Sequence, residues 1–306
     1  MKACFLFPGQ GAQYPGMAKD FYEMSKAVRE LFALASDASG IDLKKLLFEG
    51  SEEELKQTRN TQIAVALAGA AAAACAREYG THPELCAGFS VGEWPALAEA
   101  GVVSHADMFR LVAKRGALMD EAGKRSGGST MSAVINLAPA AIEAAIKGAG
   151  LKNVWVANYN SPAQSVISGT EADVAAAEEA VKAAGAKRAI RLKVSGAFHS
   201  PIMAYARDLF AEAIAPVAFS DPKIALFSNV TGKRIASGAE AKRLAVDQIV
   251  SPVRWMDEEA AILAEKPQFC AETGPGSVLG GLWKAVGGDV PCYPFGTLDQ
   301  ISAVSL

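Results

Sequence analysis

Leu85-Cys86-Ala87-Gly88-Phe89-Ser90-Val91-Gly92-Glu93-Trp94-Pro95 is the stretch on which the fold turns. It begins apolar and extended, bends at Gly88-Phe89-Ser90-Val91-Gly92, and leaves through an alanine-rich run with helical spacing. That is a strand, a sharp turn and a helix, with a serine at the corner. A Gly-x-Ser-x-Gly elbow lifts the hydroxyl clear of a sheet. The two glycines leave room for strand and helix to pass closely. The helix that follows turns free N–H groups and a partial positive charge toward the corner. Pro95 agrees, because proline is tolerated in a helix's first turn. A plain structural turn remains the bland reading of this motif.

Outward from the elbow, short buried strands alternate with helices. Ala3–Phe7 reads as a buried strand closed by the glycine-rich loop Pro8-Gly9-Gln10-Gly11, in which the Gln10 N–H can point into a cleft. A phosphate loop is excluded, since Gly-x-x-x-x-Gly-Lys is absent. Met17–Ala38 carries one helical stripe, and 60–78 reads as an alanine-rich core helix. Arg115 lies within a helix over 106–122, where a solvated residue is the ordinary reading. Past the linker Ser126-Gly127-Gly128-Ser129 the order is strand-helix-strand-strand-helix-strand, the ferredoxin-like split unit. Its last strand is expected over Lys187–Val194. Asn158-Tyr159-Asn160-Ser161-Pro162 reads as a polar turn between its middle strands. Ser195–Pro201 returns the chain to the larger unit. Further strands are expected at Lys223–Ser228, Pro267–Glu272 and Cys292–Phe295, the first two closed by the turns at Asn229 and Gly274. The expected fold is α/β: a larger α/β-hydrolase-like domain with a mainly parallel sheet (1–126 and 196–306) and an inserted ferredoxin-like subdomain (127–195). Functional groups in such sheets gather beyond the carboxyl ends of the strands.

Composition narrows the function. Of 306 residues 51% are hydrophobic and 21% charged, which is ordinary for a globular protein with a large core. A net charge of -3 argues against nucleic acid or an anionic membrane as partner. The N-terminal apolar run is too short for a signal peptide, and Ile63–Ala76 too short for a membrane span. A cytoplasmic monomer is the default. Five cysteines without a Cys-x-x-Cys read as buried hydrophobes in a reducing compartment. No metal is expected, because the three histidines lack ligand spacing.

A serine nucleophile needs a base. His82 sits in an exposed turn before the strand, and capping explains His105. His199, in Gly196-Ala197-Phe198-His199-Ser200-Pro201 at the junction of the two units, is left as the best partner, with a packed histidine at a domain seam as the bland alternative. No aspartate or glutamate has an obvious claim to orient it. A backbone carbonyl could serve instead.

Phe7-Pro8-Gly9-Gln10-Gly11-Ala12-Gln13, Gly88–Glu93, Arg115-Gly116-Ala117-Leu118-Met119, Asn158–Pro162, Gly196–Pro201 and Gly274-Pro275-Gly276 occur in this order. Together they resemble the malonyl-CoA:acyl-carrier-protein transacylases of fatty acid synthesis and the related acyltransferases of polyketide synthases, over nearly the whole chain. The resemblance implies Ser90 as nucleophile and His199 as base. It implies Gln10 and Val91 as oxyanion N–H donors, Arg115 on the malonyl carboxylate, and the main-chain carbonyl of Gln248 behind the histidine. Asn160 would line the site. Phe198 would restrict room for an α-methyl group. The implied substrates are malonyl-CoA and the phosphopantetheine thiol of an acyl carrier protein, with no permanently bound cofactor. Phe89 departs from the family's usual histidine. The rival readings are a hydrolase using the same Ser-His pair on loaded carriers and a non-catalytic docking module that keeps the fold. Carrier proteins of this type are acidic, so Lys187, Arg188, Arg191 and Lys193 are candidate docking residues.

Overall fold

The structure, a computed structural model, describes residues 2–304. Two sheets organise the chain. The first is five-stranded and parallel throughout, in the order β7-β2-β1-β8-β9. It comprises β1 (Ala3–Phe7), β2 (Pro83–Gly88), β7 (Ala225–Leu226), β8 (Phe269–Glu272) and β9 (Cys292–Pro294). β1, β8 and most of β2 are buried, as strands covered on both faces must be. The second is antiparallel, in the order β4-β5-β3-β6. It comprises β3 (Ser129–Ile135), β4 (Val154–Ser161), β5 (Gln164–Thr170) and β6 (Arg188–Arg191), with helices Pro139–Gly148 and Glu171–Ala183 between them. Ile142, Ile146, Val174 and Val181 of those helices pack on Val134, Val156 and Ile167 of the strands as a separate apolar cluster.

The alanine-rich helix runs Thr58–Glu78 and is buried along nearly its whole length. Small side chains allow that. Where Gly69 faces Phe7, Pro95 and the Thr273 carbonyl, a methyl group would already touch all three. An isolated bridge ties β4 of the second sheet to the segment before helix Trp255–Ala264: Tyr159 N–H donates to the Val253 carbonyl at 2.9 Å, and Val253 N–H to the Ala157 carbonyl at 2.8 Å.

Four expectations are corrected. The stripe over 17–38 is two helices, Lys19–Met24 and Lys26–Ser39, because Ser25 is extended and its hydroxyl caps the second by accepting from Val28 N–H. The strand expected over 187–194 is Arg188–Arg191, and that over 223–228 shrinks to Ala225–Leu226. Asn158-Tyr159-Asn160-Ser161 is not a turn. It is the end of β4, where two register shifts against β5 break the alternation that marks a strand.

The elbow is as tight as its glycines imply. A Cβ on Gly92 would lie 2.1 Å from the Phe7 carbonyl oxygen, and one on Gly88 1.9 Å from that of Gly92. Both obstacles are backbone and cannot rotate away. Gly92→Ala is therefore expected to lose about 3 kcal/mol or more of stability in chemical denaturation. Gly281→Ala, where no atom lies within 4 Å, is the control and should be neutral or slightly stabilising.

Candidate active site

Ser90 sits just past the carboxyl end of β2, in the single turn Ser90–Gly92 that leads into helix Glu93–Glu99. Its φ is 53°, in the left-handed region that a serine rarely adopts. The elbow is stapled to β1 by Phe89 N–H donating to the Phe7 carbonyl at 2.9 Å. Beside it runs the Gln10 loop, backed by Gly274 and Gly276, which pack on Pro8 and Ala12. Among the described residues, the backbone N–H groups of Gln10 and Val91 donate to nothing, and both residues line the cleft over Ser90.

His199 arrives from the far side of the second sheet, also at positive φ (56°). Its Nε2 lies 2.7 Å from Ser90 Oγ, across 109 residues of chain. Its Nδ1 lies 2.9 Å from the Gln248 main-chain oxygen. A carbonyl accepts there, so Nδ1 carries the proton and Nε2 is free to accept from the serine. Of the other histidines, His82 is exposed, and His105 opens helix His105–Arg125 behind the cap Ser104.

Arg115, in helix His105–Arg125, is 0% exposed. Its Nη1 donates to Gln62 Oε1 at 2.6 Å and its Nη2 to Gln248 Oε1 at 2.9 Å. Nη2 also lies 3.4 Å from Ser90 Oγ. Its Nε has no partner among the described residues, and it forms no salt bridge. Two neutral amides thus hold a buried cation whose fork suits a carboxylate.

Above these groups lies a cleft of about 310 Å³ between the two sheets. Met131, Val166, Leu192 and Phe198 give it an apolar wall; Gln10, Asn158, Asn160 and Gln164 add polar groups. Asn158 and Asn160, two apart on β4, both line the cleft. Asn160 is buried, with its Oδ1 unpartnered. Phe89 lines the cleft too and packs on Trp255, ring centroids 5.4 Å apart.

Residues 4–285 match the acyl transferase domain family. This chain belongs to that family. It is 38% identical over 287 residues to a malonyl CoA-acyl carrier protein transacylase of Bacillus subtilis, covering 93% of this chain and 90% of the relative. An acyl carrier protein S-malonyltransferase of Vibrio cholerae superposes with a TM-score of 0.95 at 36% identity, covering 99% of this chain and all of the other. A malonyl-transacylase solved in complex with its type II polyketide acyl carrier protein gives 0.93 at 36% identity, covering 98% of each chain.

For an acyltransferase, the electrostatics around the serine matter as much as the distances. Burial, reinforced by the Arg115 charge, pushes His199 down to about 4, so the imidazole is neutral at pH 7. Burial alone pushes Arg115 down to about 10, with Glu93 opposing, and it stays charged. Burial raises Glu93 to about 7 against hydrogen bonds and the arginine.

Sequence reasoning missed several residues. Gln62 is a polar residue at the head of an apolar helical run, and that contrast was its signal. The side chain of Gln248 is another, since the resemblance points only to its main-chain carbonyl. Its Oε1 accepts from Arg115, while its Nε2 donates to the Ser90 carbonyl at 3.2 Å and to Asn229 Oδ1 at 3.3 Å. Glu258 and Glu259, buried on helix Trp255–Ala264, carried no signal at all.

A base that works only when neutral loses activity as pH falls through its pKa. If His199 is the base that serves Ser90, the acid limb of acyl transfer by the folded protein is therefore expected near pH 4, measured as a pH-rate profile with the folded fraction followed by circular dichroism. A limb at the ordinary histidine value of about 6.5 would contradict the assignment.

Proposed function

We infer that this protein is a malonyl-CoA:acyl-carrier-protein transacylase working through a malonyl-Ser90 ester. The observation that carries the reading is the meeting, at one hydroxyl, of an imidazole acceptor at 2.7 Å and a guanidinium at 3.4 Å. The names of its relatives supply the substrate class. Ser90 Oγ attacks the thioester carbonyl and its proton passes to His199 Nε2. The carbonyl electrons move onto oxygen, and the Gln10 and Val91 N–H groups donate hydrogen bonds to the resulting oxyanion, each donor lowering the barrier by roughly 3–4 kcal/mol. The carbonyl re-forms, the C–S bond breaks, and coenzyme A leaves with the proton from His199. The phosphopantetheine thiol of the carrier then repeats the sequence in reverse on the ester. Gln248, through its main-chain carbonyl, keeps the imidazole in the required tautomer.

Arg115 selects a substrate ending in a carboxylate. The Gln62 and Gln248 oxygens occupy its fork, so a malonyl carboxylate exchanges neutral acceptors for an anionic one and turns these contacts into an ion pair. Phe198 narrows the room beside the α-carbon, and Asn160, with its free Oδ1, lines the path of the acyl group. Malonyl-CoA is the substrate, and the chemistry asks for no resident cofactor. The accompanying fold reading is an α/β-hydrolase-like domain (1–126, 196–306) with a ferredoxin-like insertion (127–195). The serine elbow and the order β4-β5-β3-β6 support it. It works as a cytoplasmic monomer.

Labelled malonyl-CoA should acylate Ser90 and, with holo carrier added, load the carrier. Rapid release of free malonate without loading would identify a hydrolase instead. Arg115→Ala should lower kcat/KM for malonyl transfer by more than a hundredfold, roughly 3 kcal/mol, while sparing or raising acetyl transfer. Equal losses for both would refute the selection role.

The carrier's acidic face would meet a basic rim. Lys187, Arg188 and Lys193 are exposed and without ion-pair partners among the described residues. Arg191 is engaged by Glu178 through two hydrogen bonds, of 2.8 and 3.0 Å, and is the least available. Reversing Lys187, Arg188 and Lys193 to glutamate should raise KM for the carrier about tenfold and leave that for malonyl-CoA unchanged. A parallel rise in both would count against the rim.

A further inference from the structure

Asn229, in the segment after β7, looks in sequence like one residue of an ordinary turn. In the structure it is 0% exposed, and its polar atoms are all bonded. Its Oδ1 accepts from Ser90 N–H at 2.6 Å and from Gln248 Nε2 at 3.3 Å. Its Nδ2 donates to the Gly88 carbonyl and to Glu258 Oε1, both at 2.7 Å. Its own N–H donates to Glu93 Oε2 at 2.7 Å, and its carbonyl accepts from Arg254 N–H at 2.8 Å. The amide orientation is unambiguous: two donors face the oxygen and two acceptors face the nitrogen.

The placing of these bonds is what matters. Gly88 and Ser90 flank Phe89, so one side chain grips the elbow on both sides of its bend. A non-glycine residue at positive φ costs about 1–3 kcal/mol and persists only where its surroundings hold it. Asn229 supplies that hold at Ser90. Through Gln248, the same amide reaches the residue that binds Arg115 and orients His199. Two buried carboxyls, Glu93 and Glu258, fix Asn229 from behind, and the second oxygen of Glu258 is unpartnered. Burial raises Glu258 well above the usual carboxylate range, and its Oε1 accepts from Asn229 Nδ2.

We propose that Asn229 is a positioning residue for acyl transfer, locking the strained serine elbow and the Gln248 side chain in register, with Glu258 as its anchor. This rests on Ser90 being the nucleophile. The Asn229 side chain touches no substrate, so its loss should fall on turnover and not on binding.

The test measures, per folded protein, steady-state transfer from malonyl-CoA to holo carrier and the rate at which an uncharged fluorophosphonate labels Ser90. Asn229→Ala should lower kcat at least a hundredfold with KM for malonyl-CoA within threefold, and labelling should fall in step. A wild-type protein that neither labels nor transfers would sink the nucleophile itself. A wild type that does both, beside an Asn229→Ala variant with kcat within threefold or a defect confined to KM, overturns this proposal alone. Should Asn229→Ala fail to fold, the Glu258 pair decides. Glu258→Gln keeps the acceptor and should retain kcat within twofold, whereas Glu258→Ala should lose about tenfold. Equal kcat in the two overturns the proposal.

Discussion

A buried guanidinium without a countercharge governs the interior of this protein. Taking a cation out of water costs several kcal/mol unless something answers it. Around Arg115 the answer is incomplete: two amide oxygens, a bare Nε, and a Glu93 carboxyl that burial drives toward its neutral form. The helix that carries it and the helix that carries Gln62 pack tightly enough to keep water off, and Gly116 is one reason they can. The interior thus holds an incompletely answered positive charge 3.4 Å from the serine hydroxyl.

Everything else in the site serves to keep three side chains from distant segments at one point. β2 ends at the elbow, the chain then travels through the second sheet, and only afterwards does it deliver His199. Gln248 arrives later still and touches serine, arginine, histidine and Asn229 together. The 2.9 and 2.8 Å bonds between β4 and Val253 hold the second sheet against the segment that follows Gln248. The same seam therefore ties the β4 wall of the cleft to the segment that follows Gln248.

What the sequence disclosed were features whose cause is local. A tight strand-to-helix corner needs glycines at fixed offsets, so Gly88 and Gly92 announced it. Buried strands such as Ala3–Phe7 are continuous apolar runs and were legible for the same reason. The scarcity of histidines pointed to His199 without any structure. Asn158–Ser161 reads as a turn because its polar residues and the following Pro162 are turn chemistry, and the register shifts in β4 remove the period-two alternation that would mark a strand. Asn229, Glu258 and the side chain of Gln248 were unreadable for a different reason. Their partners lie far along the chain, and a polar residue shows its purpose only when the groups it satisfies are folded against it.

The backbone oxygen behind His199 has a kinetic consequence. A carboxylate in that place would stabilise the imidazolium and make the ring a strong base toward any nucleophile. An uncharged acceptor beside a permanent cation leaves the ring a feeble one. A thiol ionises near pH 8.5 and needs little help to attack an ester. Water gives up its proton far more reluctantly and needs a great deal. On the proposed mechanism, the weakness of the base is itself the filter that lets an acyl group wait on the serine for a sulfur acceptor in a medium where water vastly outnumbers it.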